Sequence, residues 1–227
     1  FDSEEIGLFN GADAAINAIF NSFGDRDEIF LTTNPTFGYY SPCSEIQGMR
    51  KITCAYEGEN FLFPIKRFKE KIIKHKPKLI FICNPNNPTG TVLSAQEIIK
   101  LANLNKKSLI VVDELYEKFN GDSLLPVIDF KKIKNIVVIQ SLSKTAGLAG
   151  LRIGFAFGHK SIMQYINKVT GPYDVNSFAV TAALAALNDK SYIDNYVSEV
   201  KKARVLIEKK FESIAIRKHF GGGNYFL

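Results

Sequence analysis

Ile136-Val137-Val138-Ile139-Gln140-Ser141-Leu142-Ser143-Lys144-Thr145-Ala146-Gly147-Leu148-Ala149-Gly150-Leu151-Arg152-Ile153-Gly154-Phe155 is the stretch that decides how this chain is read. Its first four residues are apolar and fit a buried strand. The strand runs into a hydroxyl-rich turn, Ser141-Leu142-Ser143, which delivers Lys144, and a glycine-bearing segment then leads to Arg152. Two hydroxyls, an amine and a guanidinium placed so closely suit the holding of an amine beside an anion. A solvated loop would also tolerate a Ser-x-Ser-Lys turn. The other segments decide between the two.

An amine beside an anion cup is what pyridoxal phosphate demands, because its aldehyde carbon and its phosphate arm sit on neighbouring ring atoms. Asn10-Gly11-Ala12-Asp13 opens an apolar-periodic run, 14–23, with Ile16, Ile19, Phe20 and Phe23 on one face. Asn10, Gly11 or Asp13 can cap this helix, and a glycine at its start would also admit an anion to the free N–H groups. Strands are expected over 28–33, 51–56, 78–83, 108–112 and 152–157. Helices are expected from the 34–40 turn towards Gly48 and over 64–74, 94–103, 161–169, 177–187 and 191–211. Ser94 with Glu97 three residues on is a capping-box pattern.

The turn Asn34-Pro35-Thr36-Phe37-Gly38-Tyr39-Tyr40 carries aromatic rings that could present a flat face to a flat ligand or fill core. Asn84-Pro85-Asn86-Asn87-Pro88-Thr89-Gly90 concentrates turn formers at the carboxyl end of an apolar strand, where an open α/β sheet binds its ligand. A cis Asn87-Pro88 peptide is expected there. Asp113-Glu114 directly follows a buried strand, so at least one of the two carboxylates needs a cationic or hydrogen-bonding partner. Asp113 would suit a protonated ring nitrogen, and Tyr116 could reach another polar atom of the same ring. The run Gly221-Gly222-Gly223 reads as a turn before a strand near Asn224, and not as a phosphate loop.

At 227 residues, 46% hydrophobic and 23% charged, the chain has globular composition and can bury a sizeable core. The apolar stretch 178–187 is far short of the roughly twenty residues of a membrane-spanning helix, and no basic-then-apolar leader pattern opens the sequence. A cytoplasmic protein without a membrane partner is expected. Cys43, Cys54 and Cys83 are odd in number and lack a C-x-x-C, so neither a disulfide framework nor a zinc site follows. His75, His159 and His219 are equally scattered, and no metal is expected. The net charge of +6 is compatible with a polyanion partner, but the lysines of 66–78 and 201–210 fall at the spacings of solvated helix faces and no nucleic-acid module is present. The chain begins at Phe1 and stops in Tyr225-Phe226-Leu227, which gives the expectation of a sequence cut at both ends.

Taken together, N-G-A-D, N-P-T-F-G-Y-Y, N-P-N-N-P-T-G, D-E-L-Y and S-L-S-K-T-A-G-L-A-G-L-R-I-G resemble, in order and spacing, the fold-type-I pyridoxal-phosphate-dependent aminotransferases. Within this class, L-S-K-x-x-x-L-A-G-L-R-I-G and G-P-Y-D-V-N-S are most similar to the histidinol-phosphate aminotransferase branch. The resemblance covers nearly the whole chain. It implies an α/β fold, a three-layer α/β/α arrangement around a mostly parallel mixed sheet. Residues 1–190 would form a large cofactor-binding domain, and 191–227 a bridging helix with the start of a smaller α+β domain. It also implies pyridoxal 5'-phosphate as cofactor and a homodimer. The implied reaction is ping-pong amino transfer between histidinol phosphate, or a related amino compound, and 2-oxoglutarate, as in histidine biosynthesis.

Carried over by position, the resemblance makes Lys144 the Schiff-base lysine and pairs Asp113 with the pyridine nitrogen. Tyr116 and Asn87 would hold the ring's 3-oxygen. The phosphate would sit among the backbone of Gly11, Ala12 and Asp13 and the side chains of Ser141, Ser143 and Arg152. Phe37 occupies the position of the ring that stacks on the cofactor, where the branch usually has Tyr. The family's N-terminal arm and the arginine that grips the substrate's acidic group have no counterpart in these residues. Other readings carry the same motifs: an aromatic-amino-acid aminotransferase, a threonine-phosphate decarboxylase, or a catalytically silent cofactor-binding protein.

Overall fold

The computed structural model describes residues 1–215 and 218–227. Strand and helix alternate from the start: β1 (Ile6–Phe9), α1 (Gly11–Phe23), β2 (Ile29–Asn34), α2 (Tyr40–Ile46), β3 (Arg50–Ala55), α3 (Ile65–His75), β4 (Leu79–Cys83) and α4 (Ala95–Leu104). The second half continues with β5 (Leu109–Asp113), α5 (Glu117–Asn120), β6 (Ile136–Ser141), α6 (Leu142–Thr145), β7 (Gly154–Gly158), α7 (Lys160–Ile166), α8 (Ser177–Asn188) and α9 (Lys190–Glu212). One sheet results, in the order β1-β7-β6-β5-β4-β2-β3. Strands β2 to β6 run parallel, and β7 runs against both its neighbours. The expected mostly parallel mixed sheet is therefore present.

The central strands explain the layering. Leu79–Cys83 and Leu109–Asp113 are buried at every position, which a parallel strand requires when helices cover both faces of its sheet. Successive side chains point to opposite faces. Phe81, Val111, Val137 and Ile139 pack under α1 with Ile16, Ile19 and Phe20. Ile80, Ile82, Ile110, Val112 and Val138 pack on the other side with Phe68, Ile72, Ile98 and Leu101 of α3 and α4. A third cluster joins Tyr116, Leu142 and Ala146 to Ala179, Ala183 and Ala186 of α8 and to Ile193 and Val197 of α9. The small alanine side chains let α8 approach closely.

Register then sets the site. Cys83 lies opposite Asp113, and Asp113 opposite Ile139, so β4, β5 and β6 end side by side. Each end is followed by one of the polar turns singled out above.

Several expectations need correction. Strand β1 was not foreseen. Strand β7 starts at Gly154 rather than at residue 152, because Arg152 sits at φ +54 in the left-handed region and cannot join a ladder. Ser94 caps α4 by accepting from the Glu97 N–H at 3.3 Å, yet the Glu97 carboxylate goes to Lys69 and Lys100, so the box is half made. No strand forms near Asn224. Residues 218–227 instead run beside the 84–90 loop, with His219 and Leu227 exchanging backbone hydrogen bonds of 2.5 and 2.9 Å. Asn87-Pro88 is cis as expected, and so are Asn34-Pro35 and Asn84-Pro85. Among the described residues, no helix is long and apolar enough to cross a membrane.

Candidate active site

A cavity of about 190 Å³ opens where β4, β5 and β6 end against the start of α1, lined by Ala12, Asp13, Phe37, Cys83, Asn87, Asp113, Leu115, Tyr116, Ser143, Lys144, Ala149 and Arg152. Nine of the eleven residues expected at the site are on this wall; Gly11 and Ser141 are not. A wider depression of about 720 Å³ between α5 and α9 is lined by Glu117, Lys118, Asp194 and Lys201 among others and shares none of these residues.

The anion side is built by close backbone packing. Gly11 opens α1 at φ +80, and a Cβ there would fall 2.5 Å from Nη2 of Arg152. Gly154 is equally constrained, since its Cβ would lie 2.5 Å from the Gly11 carbonyl carbon and 2.6 Å from the Ala12 nitrogen. Two bare glycines therefore let β7 seat the helix start beneath the Arg152 guanidinium. Asn10 supplies no side-chain cap, which leaves the first-turn N–H groups and the positive end of the helix dipole able to receive an anion. Nη2 of Arg152 donates to Asp13 Oδ2 at 2.9 Å, which fixes the guanidinium over the helix start.

Ser141 supports the lysine turn from behind. It is 5% exposed; its hydroxyl lies 2.7 Å from the Ile153 carbonyl and 2.8 Å from Ser143 Oγ, and accepts from the Ser143 N–H at 3.1 Å. With those partners it caps the single turn α6, which carries Lys144 to the wall. Nζ of Lys144 stands 6.0 Å from the centre of the Tyr116 ring.

Asp113 lies at the floor, 2% exposed. It accepts from the Tyr40 hydroxyl at 2.7 Å and from the Leu115 N–H at 3.3 Å. Burial pushes its carboxyl up to about 6, with the Tyr40 and Leu115 donors pulling the other way. No cation pairs with it among the described residues. Glu114 points away from the cavity and accepts from Ser123 Oγ, the Leu124 N–H and Gln140 Nε2 at 2.7, 2.8 and 3.0 Å; burial lifts it to about 7. Both carboxylates thus have the hydrogen-bonding partners their position demands.

Asn87 Nδ2 reaches the Tyr116 hydroxyl at 3.4 Å, so these two polar groups converge on one point of the wall. Burial holds the Tyr116 phenol up at about 12. The Phe37 ring meets the buried Tyr40 ring edge to face, centroids 5.6 Å apart. Tyr40 was legible only as one ring of an aromatic cluster, while Cys83, Leu115 and Ala149 carried no signal that set them apart. Burial raises the Cys83 thiol, whose sulfur receives the Asn87 N–H at 3.4 Å.

This donor set suits pyridoxal phosphate. A buried carboxylate lacking a cation fits a protonated ring nitrogen, the bare glycines and guanidinium fit a phosphate, and an amine lines the same cavity. Fold and site together define an α/β protein equipped for an aromatic phosphate cofactor at the carboxyl edge of its sheet.

The sequence profile of the family "Aminotransferase class I and II" matches residues 1–226. The chain belongs to that family, which is pyridoxal-phosphate-dependent. It is 37% identical over 196 residues to the histidinol-phosphate aminotransferase of Caldanaerobacter subterraneus subsp. tengcongensis, covering 85% of this chain and 55% of that protein. The crystal structure of the histidinol-phosphate aminotransferase from Clostridium acetobutylicum superposes with a TM-score of 0.86 at 25% identity, covering 96% of this chain and 65% of the other. That from Sinorhizobium meliloti, in complex with pyridoxal-5'-phosphate, gives 0.90 at 21% identity, covering 98% and 61%. The chain therefore spans a little over half the length of the first of these relatives.

Proposed function

We propose that this chain is the cofactor-binding portion of a transaminase that moves an amino group between histidinol phosphate, or a related amino compound, and 2-oxoglutarate. The observation that carries the reading is that Lys144 and Arg152, from the stretch 136–155, and Asp113, from the end of β5, line one cavity. Histidinol phosphate is suggested by the names of the relatives, and 2-oxoglutarate by the resemblance of the sequence motifs to the aminotransferase class. By the same similarity, α9 bridges to a second, smaller domain, and the working protein is a homodimer.

When bound, pyridoxal phosphate supplies an aldehyde carbon that takes up amines and a protonated ring that accepts the electron pair left at a substrate's α-carbon. Arg152, Ser143 and the N–H groups at the start of α1 would hold the phosphate and so fix the ring's position. Asp113 would hold the proton on the ring nitrogen, and the Tyr40 hydroxyl fixes the orientation of that carboxylate. Asn87 and Tyr116, which converge on one point of the wall, would hold the ring's 3-oxygen, and Phe37 would supply the apolar face beside the ring. Lys144 would be the amine that anchors the aldehyde, and its amino group, when free, would take the proton from the substrate's α-carbon. The same amine would then hold that proton for return, so one residue would serve as base and then as acid.

The test is the absorbance of the protein after adding pyridoxal phosphate, for wild type and Lys144→Ala. A visible band in the wild type, lost in the variant and shifted by histidinol phosphate, supports the reading. An equal band in Lys144→Ala, or no band in the wild type, overturns it.

A further inference from the structure

The Gly221-Gly222-Gly223 run has no part in the chemistry described above, yet it lies against the site. Gly90 closes the 84–90 loop at φ +67, and a Cβ on it would strike the backbone of Gly221 and Gly222. A Cβ on Gly221 would in turn strike Thr89 and Gly90. The two segments thus meet backbone to backbone, with side chains missing on both sides. Their polar groups pair across this contact: the Gly222 N–H donates to the Gly90 carbonyl at 2.5 Å, and His219 Nε2 lies 2.9 Å from the Thr89 carbonyl. Arg204 of α9 donates to the Gly223 carbonyl at 2.9 Å, tying the same segment to the long helix.

The seated segment ends on the groups that face the cavity. The Tyr225 hydroxyl donates to the Asn86 carbonyl at 2.6 Å, one peptide before Asn87. The Tyr225 ring meets the Tyr116 ring edge to face, centroids 4.9 Å apart and planes at 85°. The Tyr225 side chain therefore meets the Tyr116 ring directly and reaches Asn87 through the peptide that precedes it, without itself lining the cavity. Asn86 itself is fully buried and held on its other side, where its amide donates to the Pro35 carbonyl at 3.0 Å and accepts from Thr36 Oγ1 at 2.7 Å.

We propose that Tyr225 is a positioning residue: seated by the glycine-on-glycine contact, it sets the Asn87 amide and the Tyr116 hydroxyl at the spacing that receives one ring oxygen of the cofactor. This rests on the reading above that Asn87 and Tyr116 hold that oxygen. Tyr225→Phe removes the hydrogen bond to Asn86 and keeps the ring, so its effect must pass through the loop.

The experiment compares wild type, Tyr225→Phe, Asn87→Ala and the double variant in two readouts: affinity for pyridoxamine phosphate, and hydrogen–deuterium exchange of the cofactor-free chain. Loss of one hydrogen bond to a buried carbonyl is expected to weaken binding about fivefold in the wild-type background, and to leave affinity unchanged once Asn87 is alanine. Exchange should quicken over residues 84–91 and stay unchanged over 136–141. Gly222→Ala, whose Cβ would sit 2.7 Å from Val92 and 2.9 Å from the Gly90 carbonyl, should unseat the segment and give the same signature by a second route. Equal affinity losses with and without Asn87, or a Tyr225→Phe variant that binds and exchanges as wild type does, would overturn the proposal alone. A wild-type chain that fails to bind pyridoxamine phosphate would overturn the site reading and this inference with it.

Discussion

Asp113→Asn isolates the electrostatic load that the site places on the cofactor-free chain. Asp113 is 2% exposed, and burial lifts its carboxyl from 3.8 to about 6. Below about pH 3 both folded and unfolded chains hold the proton, and the group costs nothing. As pH rises the unfolded chain releases its proton first, so stability falls, and the loss is complete once pH has passed the folded value of about 6. Roughly two pKa units amount to about 3 kcal/mol in full, of which about 2 kcal/mol falls between about pH 4.5 and about pH 7.5. Glu114, lifted from 4.5 to about 7, adds a loss of the same sign that the variant retains. Urea unfolding of both proteins at the two pH values should therefore show wild type losing about 2 kcal/mol more than Asp113→Asn. Adding pyridoxamine phosphate should shrink the wild-type loss, because a protonated ring nitrogen supplies the cation that Asp113 lacks. Equal pH dependence in the two cofactor-free proteins would refute the claim that an unpaired buried carboxylate loads this site.

Two further substitutions probe the anion side. Gly154→Ala places a Cβ 2.5 Å from the Gly11 carbonyl carbon, and overpacking against backbone should cost about 1–3 kcal/mol in denaturant unfolding while also weakening pyridoxamine phosphate; wild-type stability would mean that the helix start can move aside. Arg152→Lys keeps the charge but loses the planar fork, so affinity for pyridoxamine phosphate should fall about tenfold while that for pyridoxamine, which lacks the phosphate, is unchanged. Equal falls for the two ligands would show that Arg152 acts on something other than the phosphate.

What could be read ahead of the structure divides along the line between local and distant causes. Strands β4, β5 and β6 were legible because each is an apolar run stopped by polar turn formers, a pattern contained within a few residues. Strand β1 was not, since Ile6-Gly7-Leu8-Phe9 is four residues long with a glycine inside it, and its strand character comes from pairing with β7 far along the chain. The site divides in the same way. Lys144, Arg152 and Asp113 sit in short motifs whose residue types suit the chemistry, Asn87 was singled out through the family resemblance, and the structure puts all four on one cavity wall. Their supports lie across the chain: Tyr40 reaches Asp113 over 73 positions, and Tyr225 reaches Asn86 over 139. Nothing near Tyr40 or Tyr225 in the sequence announces either contact. The difference has chemical weight, because the motif D-E-L-Y by itself suggests an ordinary ionised aspartate. Burial, partly offset by a phenol arriving from another strand's turn, makes Asp113 a carboxylate that gains from a cation, and that property suits it to a protonated ring.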